Sequence, residues 1–117
     1  MLVVDDSPTV REQCASLLGG TYDCLTATNG EEGLEVARRE RPDVILLDLE
    51  MPTMDGATLL RKLRDLAATS SIPVVVMTGA VGVHHLMRCR TLGCSGYVLK
   101  PVQGDYLLAK LARLVDD

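Results

Sequence analysis

The feature that most limits the fold is a local event that recurs along the chain: a short apolar run halts at a residue that chemistry can use. Met1-Leu2-Val3-Val4 stops at Asp5-Asp6, and Val44-Ile45-Leu46-Leu47 stops at Asp48. Pro73-Val74-Val75-Val76-Met77 stops at Thr78, and Tyr97-Val98-Leu99 stops at Lys100. Runs that are apolar on consecutive residues, rather than on alternate ones, suit strands buried on both faces, as in a parallel sheet.

Helical signals fill the gaps. Ser7-Pro8 offers an N-cap and a first-turn proline. Val10, Cys14, Leu17 and Leu18 follow at helical spacing until Gly19-Gly20. Tyr22 to Ala27 reads as a second strand. Asn29 with Glu32 three residues on has the form of a capping box. Leu34 and Ala37 give that helix its inner face, while Arg38, Arg39 and Arg41 suit its negative C-terminal end and Pro42 stops it. Gly56 opens a third helix carrying Leu59, Leu60, Leu63 and Leu66. A fourth runs from about Val83 to Leu92 and ends at Gly93. A fifth carries Leu107, Leu108, Leu111, Leu114 and Val115.

Strands alternating with helices in this way imply a parallel sheet with helices on both faces and right-handed crossovers. The 117 residues contain no repeat, low-complexity tract or linker, so 1–117 is expected to form one domain. Both ends look trimmed to that domain, so a piece of a longer protein is as plausible as a free-standing one.

Composition removes several function classes. A net charge of −4 argues against gripping nucleic acid or anionic lipid by charge alone. No apolar run approaches the roughly 20 residues that cross a bilayer, and no basic segment precedes the first strand as in a signal peptide. The cytoplasm is the expected compartment. Cys14, Cys24, Cys89 and Cys94 form no CxxC pair and read as reduced, small hydrophobes.

In an open α/β sheet the carboxyl ends of the strands share one edge, where ligands bind. Asp5, Asp6, Asp48, Thr78 and Lys100 should therefore converge. Three carboxylates held together repel and call for a cation. Hard oxygen ligands with open water positions suit Mg²⁺. A carboxylate such as Asp48 can attack phosphorus to give an acyl phosphate. Thr78 can donate its hydroxyl to a phosphoryl oxygen, Lys100 supplies positive charge, and small Gly79 leaves a backbone N–H accessible.

Val3-Val4-Asp5-Asp6-Ser7, Leu46 to Gly56 with its Asp48-Leu49-Glu50-Met51-Pro52 core, Thr78-Gly79-Ala80 and Gly96 to Pro101 together resemble the response-regulator receiver domain, over essentially the whole chain. The resemblance implies a flavodoxin-like (βα)5 fold, doubly wound, with strand order 2-1-3-4-5. It implies that Asp48 is the phosphoacceptor and that Mg²⁺, or Mn²⁺ in its place, is held by Asp6, Asp48 and the Glu50 carbonyl, with Asp5 acting directly or through water. Thr78 and Lys100 would contact the phosphoryl group, Tyr97 would turn inward as Thr78 moves, and the Lys100-Pro101 peptide would be cis. The implied donor is a histidine kinase or a histidine phosphotransfer protein. The implied output is a downstream protein or attached domain engaged through the fourth helix, fifth strand and fifth helix. The domain would assist its own phosphorylation and dephosphorylation without being an enzyme on a separate substrate.

Plainer readings stand beside these. Asp55 reads as a helix-start residue. His84, His85 and Cys89 offer no fourth metal ligand and read as structural or surface residues. Tyr97 could be a half-buried strand aromatic. Val102 stands where the family often has Phe, and Glu50 places an anion at the mouth of the site, where it is expected to modulate hydrolysis. Two rival functions remain: a receiver-fold interaction module that works without phosphate, and a phosphatase with an aspartyl-phosphate intermediate.

Overall fold

The computed structural model describes residues 1–20, 22–49, 51, 54, 56–79, 83–100 and 102–115; the side chains of 83–86, 88 and 115 lie outside that description. Its elements alternate without exception: β1 (Leu2–Val4), α1 (Pro8–Leu18), β2 (Leu25–Ala27), α2 (Gly30–Glu40), β3 (Ile45–Asp48), α3 (Gly56–Asp65), β4 (Val74–Thr78), α4 (Val83–Leu92), β5 (Gly96–Leu99) and α5 (Gly104–Val115). The strands form one parallel sheet in the order β2-β1-β3-β4-β5. This is the expected doubly wound (βα)5 arrangement.

Strand alternation divides the core in two. Leu2, Val4, Ile45, Leu47, Val74 and Val76 point to one face, where they meet Val36 and Ala37 of α2, Leu59, Leu60 and Leu63 of α3 and Cys89 of α4. Val3, Leu46, Val75, Met77 and Val98 point to the other, against Cys14 and Leu18 of α1 and Leu107 and Leu111 of α5. Most of these side chains are wholly buried, and each such Val, Leu, Ile or Met contributes about 1.5–3 kcal/mol by leaving water. The register (Leu2 beside Leu25 and Ile45, Ile45 beside Val74, Val75 beside Gly96) brings the carboxyl ends of β1, β3, β4 and β5 to a single edge.

The caps follow the sequence closely. Ser7 Oγ accepts from the Val10 N–H at 3.3 Å, with Pro8 at the first helical position. Asn29 Oδ1 accepts from the Glu32 N–H at 2.8 Å. Glu32 reaches back not to Asn29 but one residue further, taking the Thr28 hydroxyl at 2.8 Å and the Thr28 N–H at 3.4 Å. Helix α2 ends on Arg41, a non-glycine residue at φ 45°, whose N–H still donates to Ala37 O at 3.0 Å. Pro42 then prevents continuation. Helix α4 ends at Gly93, where φ is +91°, a conformation that glycine adopts without strain.

Two boundaries differ from expectation. The second strand is shorter than the Tyr22–Ala27 run, because the Tyr22 N–H donates to Leu18 O at 2.8 Å and stays tied to the exit of α1. Pairing begins where the Leu25 N–H donates to Met1 O at 2.8 Å. Leu66 lies beyond the end of α3, where the buried Thr69 hydroxyl donates to Leu63 O at 2.6 Å and closes the helix.

Candidate functional site

Each expected side chain sits at the end of its strand for a local reason. Asp5 follows the last paired residue of β1, with its N–H donating to Ala27 O at 3.1 Å. Asp48 closes β3 opposite Met77, and the chain turns away after the Leu49 N–H donates to Met77 O at 3.1 Å. Thr78 closes β4, and the Lys100 N–H donates to its carbonyl at 3.0 Å, so the ends of β4 and β5 are locked side by side.

These groups meet. Lys100 Nζ lies 3.0 Å from Asp5 Oδ2 and 3.2 Å from Asp48 Oδ1. Asp5, Asp48 and Thr78 are almost fully buried, while Asp6 is exposed at the rim. Asp5 Oδ1 accepts from the Ser7 N–H at 2.9 Å, and the Asp5 carbonyl accepts from Arg11 Nη1 at 2.7 Å. Burial by itself would make the Lys100 ammonium easier to deprotonate. Hydrogen bonding to Asp5 and the charges of Asp48 and Asp5 outweigh that effect, so its pKa rises above the ordinary 10.5.

The same carboxylates fit a hard divalent ion. Asp5, Asp6 and Asp48 each present one oxygen, and these oxygens lie within 4.8 Å of one another. Asp5 Oδ2 is buried in ion-pair contact with Lys100, and one ammonium against three clustered carboxylates leaves negative charge that a further cation would offset. The donor set is all oxygen and anionic, which suits Mg²⁺ or Mn²⁺ rather than a soft metal.

Other expected participants are placed as follows. Gly79 is exposed, and a Cβ built there would make only an ordinary 3.9 Å contact with Lys100 Cβ, so crowding does not require glycine. Tyr97 lies on the surface, 42% exposed, with Lys110 Nζ 5.4 Å from its ring centroid; the same ammonium is 5.2 Å from the ring of Tyr106 and 3.3 Å from its hydroxyl. Tyr97, Leu99, Lys100, Gln103 and Tyr106 line a surface groove of about 340 Å³ beside the site. Glu50, Asp55, Ala80 and the Lys100-Pro101 peptide fall on or include residues outside those described, as do the side chains of His84 and His85. None of the four cysteines is in a disulfide; Cys14 and Cys89 are buried and Cys24 and Cys94 half-buried.

Sequence reasoning missed Ser7 and Arg11 as supports of Asp5, and it did not separate the buried Asp5 from the exposed Asp6. Side-chain-to-backbone bonds of this kind leave no periodic trace.

No described helix is long and apolar enough to cross a membrane. The chain matches the family model of the response regulator receiver domain over residues 1–112. It is 40% identical over 115 residues to the response regulator PleD of Caulobacter vibrioides, covering 97% of this chain and 25% of PleD, so it spans about a quarter of that relative's length. It is 37% identical over 109 residues to protein PilH of Pseudomonas aeruginosa, covering 92% of this chain and 90% of PilH. Among solved structures, chemotaxis protein CheY4 of Vibrio cholerae superposes with a TM-score of 0.92 at 30% identity, covering 97% of this chain and 95% of that one. The receiver domain of the sensor histidine kinase PA1611 of P. aeruginosa, solved with a magnesium ion in its active-site cleft, superposes with a TM-score of 0.91 at 25% identity, covering 99% and 96%.

Proposed function

This chain belongs to the response regulator receiver domain family of two-component systems, and from that premise we propose that residues 1–117 act as one domain that accepts a phosphoryl group on Asp48. The observation that carries the reading is the contact of Lys100 Nζ with both Asp5 and Asp48 at the strand edge, beside a third carboxylate.

An Asp48 carboxylate oxygen attacks the phosphorus of a phosphohistidine on a histidine kinase or histidine phosphotransfer protein. The new P–O bond forms as the P–N bond breaks, and its electron pair returns to the imidazole nitrogen. Asp5, Asp6 and Asp48 would hold Mg²⁺, or Mn²⁺ in its place, with the Glu50 carbonyl as the further ligand that the family resemblance implies, and the ion would supply positive charge to offset that building on the phosphoryl oxygens. Lys100 is already charged and positioned, so it can move from its carboxylate partners toward a phosphoryl oxygen without protonation. Thr78 donates its hydroxyl, and the exposed Gly79 that follows it offers its backbone N–H. In the resting protein the buried carboxylates neutralise Lys100, and phosphorylation of one of them redistributes that pairing.

Redistribution at Thr78 is the switch. Movement of Thr78 toward the phosphoryl group opens space for the Tyr97 ring, now outside on Lys110. The face of α4, β5 and α5 then meets a downstream protein or attached output domain, with no direct contact to nucleic acid or membrane. The Lys100-Pro101 peptide is cis in this reading, and Glu50 tunes the lifetime of the acyl phosphate. The domain assists its own phosphorylation and dephosphorylation, in the cytoplasm, without a separate substrate.

Incubation with acetyl phosphate and Mg²⁺, followed by intact-mass measurement, tests this. A gain of one phosphoryl group in the wild type and none in Asp48→Asn is expected. A wild type inert to both acetyl phosphate and beryllium fluoride would favour a phosphate-independent interaction module. Turnover of a generic phosphomonoester, abolished by Asp48→Asn, would favour a phosphatase.

A further inference from the structure

We infer that Arg11 is a positioning residue for the divalent-ion site, acting through the backbone of Asp5; the inference rests on reading the three carboxylates as that site. Strand pairing of β1 ends at Val4, which lies beside Ala27 on one side and Leu47 on the other. The Asp5 N–H makes one more sheet bond, to Ala27 O, but the Asp5 carbonyl projects past the ladder. Its donor is Arg11 Nη1 at 2.7 Å, reaching back six residues from the first turns of α1. That carbonyl belongs to the peptide plane joining Asp5 to Asp6. Holding it fixes the point from which the exposed Asp6 carboxylate turns toward Asp5 and Asp48. Ser7 secures the other side of the same turn by donating its N–H to Asp5 Oδ1.

Arg11 makes no ion pair among the described residues, although it sits beside an acidic site. Its guanidinium is spent on a charge-assisted bond to a neutral carbonyl, which orients a peptide rather than neutralising a carboxylate. The two roles open to it predict opposite signs. As a mere neighbouring cation it opposes Mg²⁺ uptake, and removing it should tighten binding. As the support of a ligand-bearing turn it favours uptake, and removing it should weaken binding, as loss of supporting contacts around metal ligands does.

The test is Mg²⁺ titration by calorimetry, and Mn²⁺ titration by electron paramagnetic resonance, of the full unphosphorylated chain. Arg11→Met should raise the Mg²⁺ dissociation constant roughly tenfold, measured at a temperature where circular dichroism shows the metal-free variant to be folded. Arg11→Lys, which keeps a donor, should recover part of the affinity. Arg11→Gln is also neutral and gives the same sign if Arg11→Met does not fold. Binding by the neutral variants as tight as, or tighter than, wild type overturns the inference while leaving the site intact. A wild type that takes up no Mg²⁺ overturns both this inference and the metal reading beneath it.

Discussion

Arg64 donates twice to the carbonyl of Gly93, from Nε at 3.2 Å and from Nη2 at 2.8 Å, tying the end of α3 to the end of α4 across the surface of the sheet. Its remaining terminal nitrogen donates to Ile72 O at 2.8 Å and Ser70 O at 3.2 Å in the turn before β4. Partial burial makes this guanidinium easier to deprotonate than usual, yet arginine remains charged at neutral pH. Replacing it with alanine leaves the Ile72 and Gly93 carbonyls without these donors.

Arg64→Ala should therefore lower stability by about 2 kcal/mol, equivalent to a fall of roughly 8 °C in Tm for a chain of this length. Arg64→Lys should recover only part of the loss, because a single ammonium cannot span two carbonyl sites. Urea unfolding measures both, and a neutral Arg64→Ala would mean that water replaces the guanidinium without cost.

Gly56 opens α3 directly behind Asp48. A Cβ there would stand 2.5 Å from Asp48 O and 2.7 Å from Leu49 Cα, both backbone atoms that cannot rotate away. Gly56→Ala should cost about 1–3 kcal/mol by overpacking and should displace the Asp48 carbonyl. Reduced phosphoryl uptake from acetyl phosphate together with a lower urea midpoint is the expected pair of results; a midpoint equal to wild type would mean that the turn relaxes freely.

Lys100 links the stability of the site to pH. Its pKa is raised on folding, so the stability it confers is complete below the unfolded value of 10.5 and is lost as pH climbs through the higher folded value. Lys100→Met should lose roughly 2 kcal/mol at pH 7, because Asp5 and Asp48 then face each other without their cation. That deficit should shrink on adding Mg²⁺, which restores a cation between the two carboxylates. A deficit that Mg²⁺ leaves unchanged would show that the lysine acts by packing alone.

Cys14 is wholly buried, and burial, with smaller contributions from the nearby Asp5 and Cys24, pushes its thiol from 9.0 to about 11. The folded state therefore holds the proton more tightly, and stability from this group falls as pH rises from 9.0 to about 11. Cys14→Ala should flatten that part of the pH–stability curve. In the native protein at pH 8, Cys14 and Cys89 should not react with a disulfide reagent, while Cys24 and Cys94 react slowly; peptide mapping of the labelled thiols decides the assignment.

Much of this molecule is written locally, and that part is legible. Ser7-Pro8 and Asn29 with Glu32 act within one helical turn, and the consecutive apolar runs of β1, β3 and β4 declare strands buried on both faces. Once the strands are known to be parallel, the meeting of Asp5, Asp48, Thr78 and Lys100 follows from geometry. What is not legible depends on tertiary reach. The start of β2 is set by a bond from Tyr22 back to α1, and Arg11 and Arg64 look like ordinary surface cations until their carbonyl partners are in place. The adjacent Asp5 and Asp6 differ completely in burial, which their sequence positions do not reveal.

A single ammonium, that of Lys110, rests between the rings of Tyr97 and Tyr106 on the outer surface. Should Tyr97 leave that sandwich for the interior, Lys110 would keep one aromatic neighbour and be more fully hydrated. The two positions of Tyr97 would then differ in electrostatic potential as well as in contour. A partner bearing a carboxylate opposite α5 could tell them apart even with an unaltered backbone, and its preference should fade as ionic strength rises.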